Sequence, residues 1–507
     1  MKRTPRILAL CLALWLLAAT VTAALAADDG FSAVYTYNYD YWGELRESPN
    51  AYRADQVLFS GTLGLETPMK KPQSLFVQGE DLYVCDTGNN RILQLRREDG
   101  AYSLARIIDS VKGAEPEDFS TPSDVFADAK GNLYVADTNH NRVVMMDKNL
   151  RFLRQYVKPT DSTFEQNLSF LPSKIVVDTA GRVYVLSTNV NKGLVKYEAD
   201  GTFTGFIGAN QVKYNLWDYV WKAFLSTREQ RAQQASFVPT EYENICIDQE
   251  GFIYATNTVF SEYDLMSDVA KPIRRLNGIG NDILIKNGKH PPIGDLQWVE
   301  GTLDYGPSKF KDITVLDNDI YVAVDKTRGR LFGYDAQGIL LWAFGTKGNH
   351  VGAFLSAVSV EHMGYDLLVL DEDECSITVF TPTDYGNLIY RANDEYLRGQ
   401  YDTSADTWRE VMKLNANYDP AFIGVGRALL RQENYAEAMR YFKMAHDRVN
   451  YGRAYRYYRK EAAERSVGWI VAVIAALLIV PLVVGRVKKM KMEVEADERR
   501  KAAGFKS

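Results

Sequence analysis

The stretch YVCDTGNNR at residues 83–91 returns as YVADTNHNR at residues 134–142. Each copy lies inside a longer unit, PQSLFVQGEDLYVCDTGNNRILQLRREDG (72–100) and then PSDVFADAKGNLYVADTNHNRVVMMDKNL (122–150). A third unit, PSKIVVDTAGRVYVLSTNVNKGLVKYEADG, covers 172–201, and divergent copies at 243–258, 310–338 and 355–386 make six. Every unit opens with a short alternating apolar run that ends in a turn such as Ala129-Lys130-Gly131-Asn132. A strand rich in Tyr and Val follows, then a polar loop and a third strand. Period-two alternation marks half-buried strands, and Gly/Asn turns close antiparallel hairpins. A fourth strand can be read in the connectors GTFTGFIGA (201–209) and GILLWAFGT (338–346). Four short strands recurring at about 40–50 residues mark propeller blades, which close into a ring because one blade cannot bury both its faces. The expected fold is mainly β: a six-bladed β-propeller over 27–390, followed by α-helical hairpins and one transmembrane helix.

Pro-Ser-x-x-apolar, Gly-Asn-Leu-Tyr-Val-Ala-Asp-Thr and Asn-x-Arg within one unit resemble the NHL repeat of six-bladed propellers, over residues 56–390. The resemblance implies that QVLFSGTLG (56–64) supplies the outer strand of the last blade, so that both chain ends lock the ring. Asp86 and Arg91, like Asp137 and Arg142, look at first like a catalytic pair. They recur with the blade, and the fifth copy keeps Asp325 and Arg330, while the third and fourth carry Ser187 and Asn257 in place of Asp. A pair that repeats with the fold reads as a strand corner.

The chain ends carry the topology. MKRTPR, a following apolar run and the site Ala24-Leu25-Ala26 form a secretory signal over 1–26, with Cys11 inside the apolar run. VGWIVAVIAALLIVPLVVG (467–485) is nineteen residues without a charge, enough to cover about 28 Å and span a bilayer core. Arg486, Lys488, Lys489 and Lys491 follow it, and the expectation is a single-pass cell-membrane protein with a short cytoplasmic tail at 486–507. A formal net charge of −6 offers no basic field, so nucleic acid is not an expected partner. Cys85, Cys246 and Cys375 are too few and too scattered for a disulfide framework or a zinc site. A Cys85–Cys375 bridge would need the first and last repeats to meet.

Between the third and fourth units lies an insertion at 210–239, in which Trp217, Trp221, Phe224 and Leu225 fall on one face of a helix. Trp217, Trp221 and Phe224 are candidate binding residues, beside the reading that the helix packs on its own domain. After residue 390 the period becomes helical. Gly426, Tyr435, Ala438, Phe442 and Ala445 stand where a tetratricopeptide repeat places its packing residues, so 391–465 resembles such repeats. This implies either a docking surface or a stalk.

A propeller's usual pocket is the mouth of its channel. The resemblance puts Gln73-Ser74, Ser123-Asp124, Ser173-Lys174, Glu243-Asn244, Lys311-Asp312 and Ser356-Ala357 there. Asp124, Glu243, Asn244 and Asp312 are hard oxygen donors of the kind that bind calcium or another divalent cation. Lactonases of the gluconolactonase type use such a cage, so a metal-dependent lactonase-like hydrolase is the alternative reading. Lys174 and Lys311 in the same ring oppose it. Five histidines without ligand spacing, and no nucleophile or nucleotide motif, name no catalytic residue and no cofactor. The expected role is recognition or scaffolding, with a protein or surface glycan as partner. The resemblance adds an accessory place beside a transport system.

Overall fold

The computed structural model describes residues 36–208, 242–266, 270–286, 290–295 and 306–504. The signal sequence, with Cys11, and the insertion carrying Trp217, Trp221 and Phe224 lie outside these residues. Six antiparallel sheets form the ring of a β-propeller. Their innermost strands are Ser74–Gln78, Pro122–Ala127, Leu171–Val177, Tyr242–Ile247, Phe310–Val315 and Ala357–Met363, which number the blades one to six. Blades one to three are four-stranded meanders, and blade four shows three strands among the described residues. The fourth strands read from the connectors are present as Phe203–Ile207 and Leu340–Phe344. Six clusters of buried apolar side chains fill the seams between neighbouring blades, such as Cys85 and Ile92 against Val125 and Val135.

Two features of the N-terminal segment differ from expectation. The strand that closes blade six is Tyr52–Leu58, paired with Ser376–Pro382, and not 56–64. The strand stops at Leu58 because the next residues turn: Thr62 bonds both the N–H and the carbonyl of Phe59, and Leu63 N–H donates to Phe59 O. Ahead of it, Thr36–Tyr39 and Leu45–Glu47 form a hairpin that adds two further strands to blade five, with Thr36 opposite Phe344.

The helical tail begins at residue 384, seven residues earlier than the change of period suggests. Helix α1 is Asp384–Leu397, α2 Tyr401–Leu414, α3 Asp419–Arg431, α4 Tyr435–Met444 and α5 Arg448–Gly504. Thr383 caps α1 by accepting from Gly386 N–H, and Pro420 stands in the first turn of α3, where its missing N–H costs nothing. The hairpins cross closely. A Cβ on Gly424 would lie 2.4 Å from the Trp408 ring, and one on Gly426 would lie 2.6 Å from Phe442.

The tail is joined to the propeller by buried contacts. Tyr418 Oη donates to Leu341 O at 2.6 Å, Arg427 pairs with Asp335 at 2.8 Å, and Asn393 donates to Asn318 O. Tyr365 and Tyr390 stack at 4.6 Å. Asn318, Asp335 and Tyr365 all sit in turns on one face of the ring, the lower face, where the innermost strands end. One apolar core therefore runs from Tyr52, Trp342 and Phe344 through α1–α4 to Ala454 of α5. Helix α5 has 57 residues, a length of about 86 Å. It is the one described helix long and apolar enough to cross a membrane, and Trp469, Leu477 and Leu482 lie exposed along it.

Candidate functional site

The repeated nine-residue stretch forms a corner. Arg91 Nε donates to Asp86 at 2.7 Å and Arg142 Nε to Asp137 at 2.8 Å, all four residues being buried. The same carboxylates accept Lys70 N–H and Ser120 N–H from the loop leading into the blade. Arg91 also donates to Thr67 O, and Arg142 to Pro116 O. Between Asp and Arg the chain makes one short 3₁₀ turn ending at Asn90 or Asn141, both left-handed (φ 54° and 55°), a conformation asparagine tolerates. The intervening threonine reaches the next blade: Thr87 Oγ1 donates to Pro122 O at 2.8 Å and Thr138 Oγ1 to Pro172 O at 2.7 Å. Asp–Thr–x–x–Asn–Arg is thus a clamp on its own loop and a staple to its neighbour.

A ring of one side chain per blade narrows the channel: Ser74, Asp124, Lys174, Asn244, Asp312 and Ser359. In five blades the strand ladder slips just before this residue, as between Pro122 and Asp124. Such a bulge re-aims the side chain ahead of it, and Ser123, Ser173, Glu243, Lys311 and Val358 line the upper mouth. In blade six the pair at the mouth is therefore Val358-Ser359 rather than Ser356-Ala357, because the innermost strand only starts at Ala357.

The waist ring ties blades together. Asp124 accepts Ser74 Oγ at 2.6 Å and Ile175 N–H at 2.7 Å. Lys174 Nζ stands 2.8 Å from Ser74 Oγ and 3.4 Å from Asp124. Asp312 accepts Ser359 Oγ at 2.6 Å and Val360 N–H at 2.9 Å, while Ser359 Oγ accepts Leu75 N–H. Burial opposes charge on Lys174, but Asp124 and Asp312 outweigh it and raise its pKa. Burial raises that of Asp312, with Lys174 opposing.

The upper mouth is a polar cavity of about 240 Å³. Burial pushes the Glu243 carboxyl up, yet its partner Lys311, then Lys326 and Thr258, hold it below the usual range. Of the expected cation ligands, Asp124, Asn244 and Asp312 belong to the waist, where Asn244 Oδ1 accepts Ile245 N–H, and Glu243 belongs to the mouth. As a cation cage this set fits poorly, with two lysines inside it and its carboxylates accepting from neighbouring blades. Among the described residues no group of three or more His, Cys, Asp or Glu is placed to hold a metal. Cys85, Cys246 and Cys375 are free.

Below the waist the channel widens into a chamber of about 580 Å³, which sequence reasoning did not single out. Glu361, His362, Thr314 and Cys246 line it, as do Phe76 and Phe126. Burial, then the nearby Asp312, pushes Glu361 up to about 8, and burial lowers His362. The available signal was Glu361 itself, an acid at an inward position of an innermost strand.

No protein-family model matches the chain, and no curated protein matches it by sequence. Several solved structures are similar to it at low identity. A catalytically inactive virginiamycin B lyase from Staphylococcus aureus is 10% identical, with 64% of this chain and 99% of that one covered and a TM-score of 0.40. Kuenenia stuttgartiensis hydrazine synthase is 10% identical over 69% of this chain and 95% of its own, TM-score 0.36. The extracellular domain of a hybrid two-component system from B. thetaiotaomicron is 11% identical over 68% and 39%, TM-score 0.37. At these identities and TM-scores the likenesses say nothing of this chain's activity or partners.

Proposed function

We propose that the chain is a membrane-anchored recognition scaffold. Its NHL-type propeller stands outside the cell, tetratricopeptide-like helices carry it, residues 467–485 cross the membrane and 486–507 face the cytoplasm. The observation that carries this reading is the unbroken core from Trp342 through α1–α4 to Ala454. Such a core fixes the ring on the spanning helix, as a presenting scaffold requires. The signal-like N-terminus and the basic run from Arg486 support the orientation. The occupant of the exposed surfaces is a protein or glycan partner, in keeping with an accessory role beside a membrane transport complex.

Two measurements test this. An impermeant thiol probe on whole cells should label a cysteine placed at Glu47 but not one placed at Lys501; the reverse pattern overturns the orientation. A partner captured from membranes should be lost on Trp217→Ala/Trp221→Ala while the melting temperature holds. Calcium-dependent lactone hydrolysis by the purified chain, abolished by Asp124→Ala, would replace this reading by the enzymatic one.

A further inference from the structure

Side chains two residues apart on a strand share a face, so the position two after the waist again faces the channel. Blades one to three supply Phe76, Phe126 and Val176 there, and blades four to six supply Cys246, Thr314 and Glu361. The lower chamber is therefore apolar on one half and polar on the other. Phe76 and Phe126 form a tilted pair with centroids 4.7 Å apart. On the polar half, Thr314 Oγ1 donates to Glu361 Oε2 at 3.2 Å and stands 2.8 Å from His362 Nδ1. Thr314 thus links the Glu361 carboxyl to the His362 ring. The backbone N–H of His362 also approaches Glu361 Oε2. Oε1 accepts nothing from the described residues, and 18% of this side chain is open.

The electrostatics of the chamber are one-sided. Its lining holds Asp124, Asp312, Asp317 and Glu361, with Asp248 paired to Arg275 behind the wall, against one lining cation, Lys174, which is already engaged with Asp124 and Ser74. Such a potential favours a cation. An aromatic pair and one unshared carboxyl oxygen suit an organic cation better than a metal ion, which needs several convergent oxygens. A volume of about 580 Å³ is in the range of small-molecule sites.

We propose that the lower chamber binds a small amine with an aromatic or apolar body, its ammonium on Glu361 Oε1 and its body against Phe76 and Phe126. Where Glu361 starts protonated, the bound ammonium supplies the countercharge and the carboxyl proton leaves to solvent. This site is independent of the anchoring reading and of the partner at the outer surfaces.

The test titrates the full chain in detergent with 2-phenylethylamine, 2-phenylethanol and phenylacetate by calorimetry. The amine should bind about tenfold or more tighter than the alcohol, as a charge-assisted hydrogen bond would give, and phenylacetate should not bind. Glu361→Gln should bring the amine down to the level of the alcohol and leave the alcohol unchanged. Phe126→Ala should weaken both. Should Glu361→Gln not fold, Glu361→Asp withdraws the carboxyl and should narrow the same contrast. Equal binding of amine and alcohol by the wild type, an amine affinity indifferent to residue 361, or no amine binding would each overturn the proposal.

Discussion

Blades two and five turn the same corner with different parts. In blade two Asp137 and Arg142 clasp each other directly, five residues apart, and close on the loop before them. In blade five the equivalent residues separate. Asp325 accepts Ser308 Oγ and the N–H groups of Lys309 and Thr327. Arg330 turns instead to Asp295 and Tyr37, from the long excursion after blade four and from the N-terminal hairpin. A buried guanidinium needs a carboxylate, but the carboxylate need not be local. One corner lies within positions 116 to 142, whereas the other draws on positions from 37 to 330 and exists only once the ring has closed.

The strongest way to break this comparison is to remove each carboxylate. Asp137→Ala strands Arg142, whose side chain is 3% exposed, and should cost about 3–5 kcal/mol in equilibrium unfolding. Asp295→Ala leaves Arg330, which at 20% exposure can recruit water, and should cost about 1–3 kcal/mol. The opposite order would make the borrowed corner the tighter clamp. Gly424→Ala drives a methyl toward Trp408 and should destabilise the tail by about 1–3 kcal/mol, seen as faster proteolysis between α2 and α3. An unchanged cleavage rate would mean that the hairpin yields freely there. Thr87→Val removes one hydrogen bond between blades while keeping its shape, and about 1 kcal/mol should be lost. A neutral result would leave the threonine as a local turn residue.

A further way to sharpen the comparison is one of pH. Glu361 is pushed up to about 8 from an ordinary 4.5, so the folded protein holds a proton that the unfolded chain has released. Stability should therefore fall as pH rises across that interval. Glu361→Gln cannot ionise; its melting temperature should exceed that of the wild type at pH 8 and approach it near pH 5. Parallel curves would show that this carboxyl is not held protonated.

The contrast between the two corners also explains what could be read from the chain. Blades one and two are legible because strand alternation, the turn and the clamp pair fall within one repeat, and blade three keeps the alternation and the turn while Ser187 replaces the Asp. The sequence resemblance points to a closing strand at 56–64, in which apolar Leu63 continues the run, while the Ser60-Gly61-Thr62 turn ends the strand at Leu58. The hairpin at 36–47 pairs with Phe344 and has no local signal for that choice. Bulges hide the true waist as well: Ser359 cannot be separated from Ser356 by counting, because the ladder slips between Ala357 and Ser359. Glu361 was missed for a different reason. Its environment is made by Asp312 and Thr314 of the neighbouring blade, which lie 49 and 47 positions earlier.

The junction at residues 382–384 has a mechanical meaning. Tension carried along the backbone from the helical tail enters the propeller at Pro382, where α1 meets the ring. There Pro382 faces Tyr52, and the ladder runs back to Ile377 opposite Leu58. Pull along that strand loads its hydrogen bonds together, in shear, rather than peeling them singly. Because that outermost strand comes from the N-terminal segment, the seam that shuts the propeller is also the one that carries strain from its helical tail.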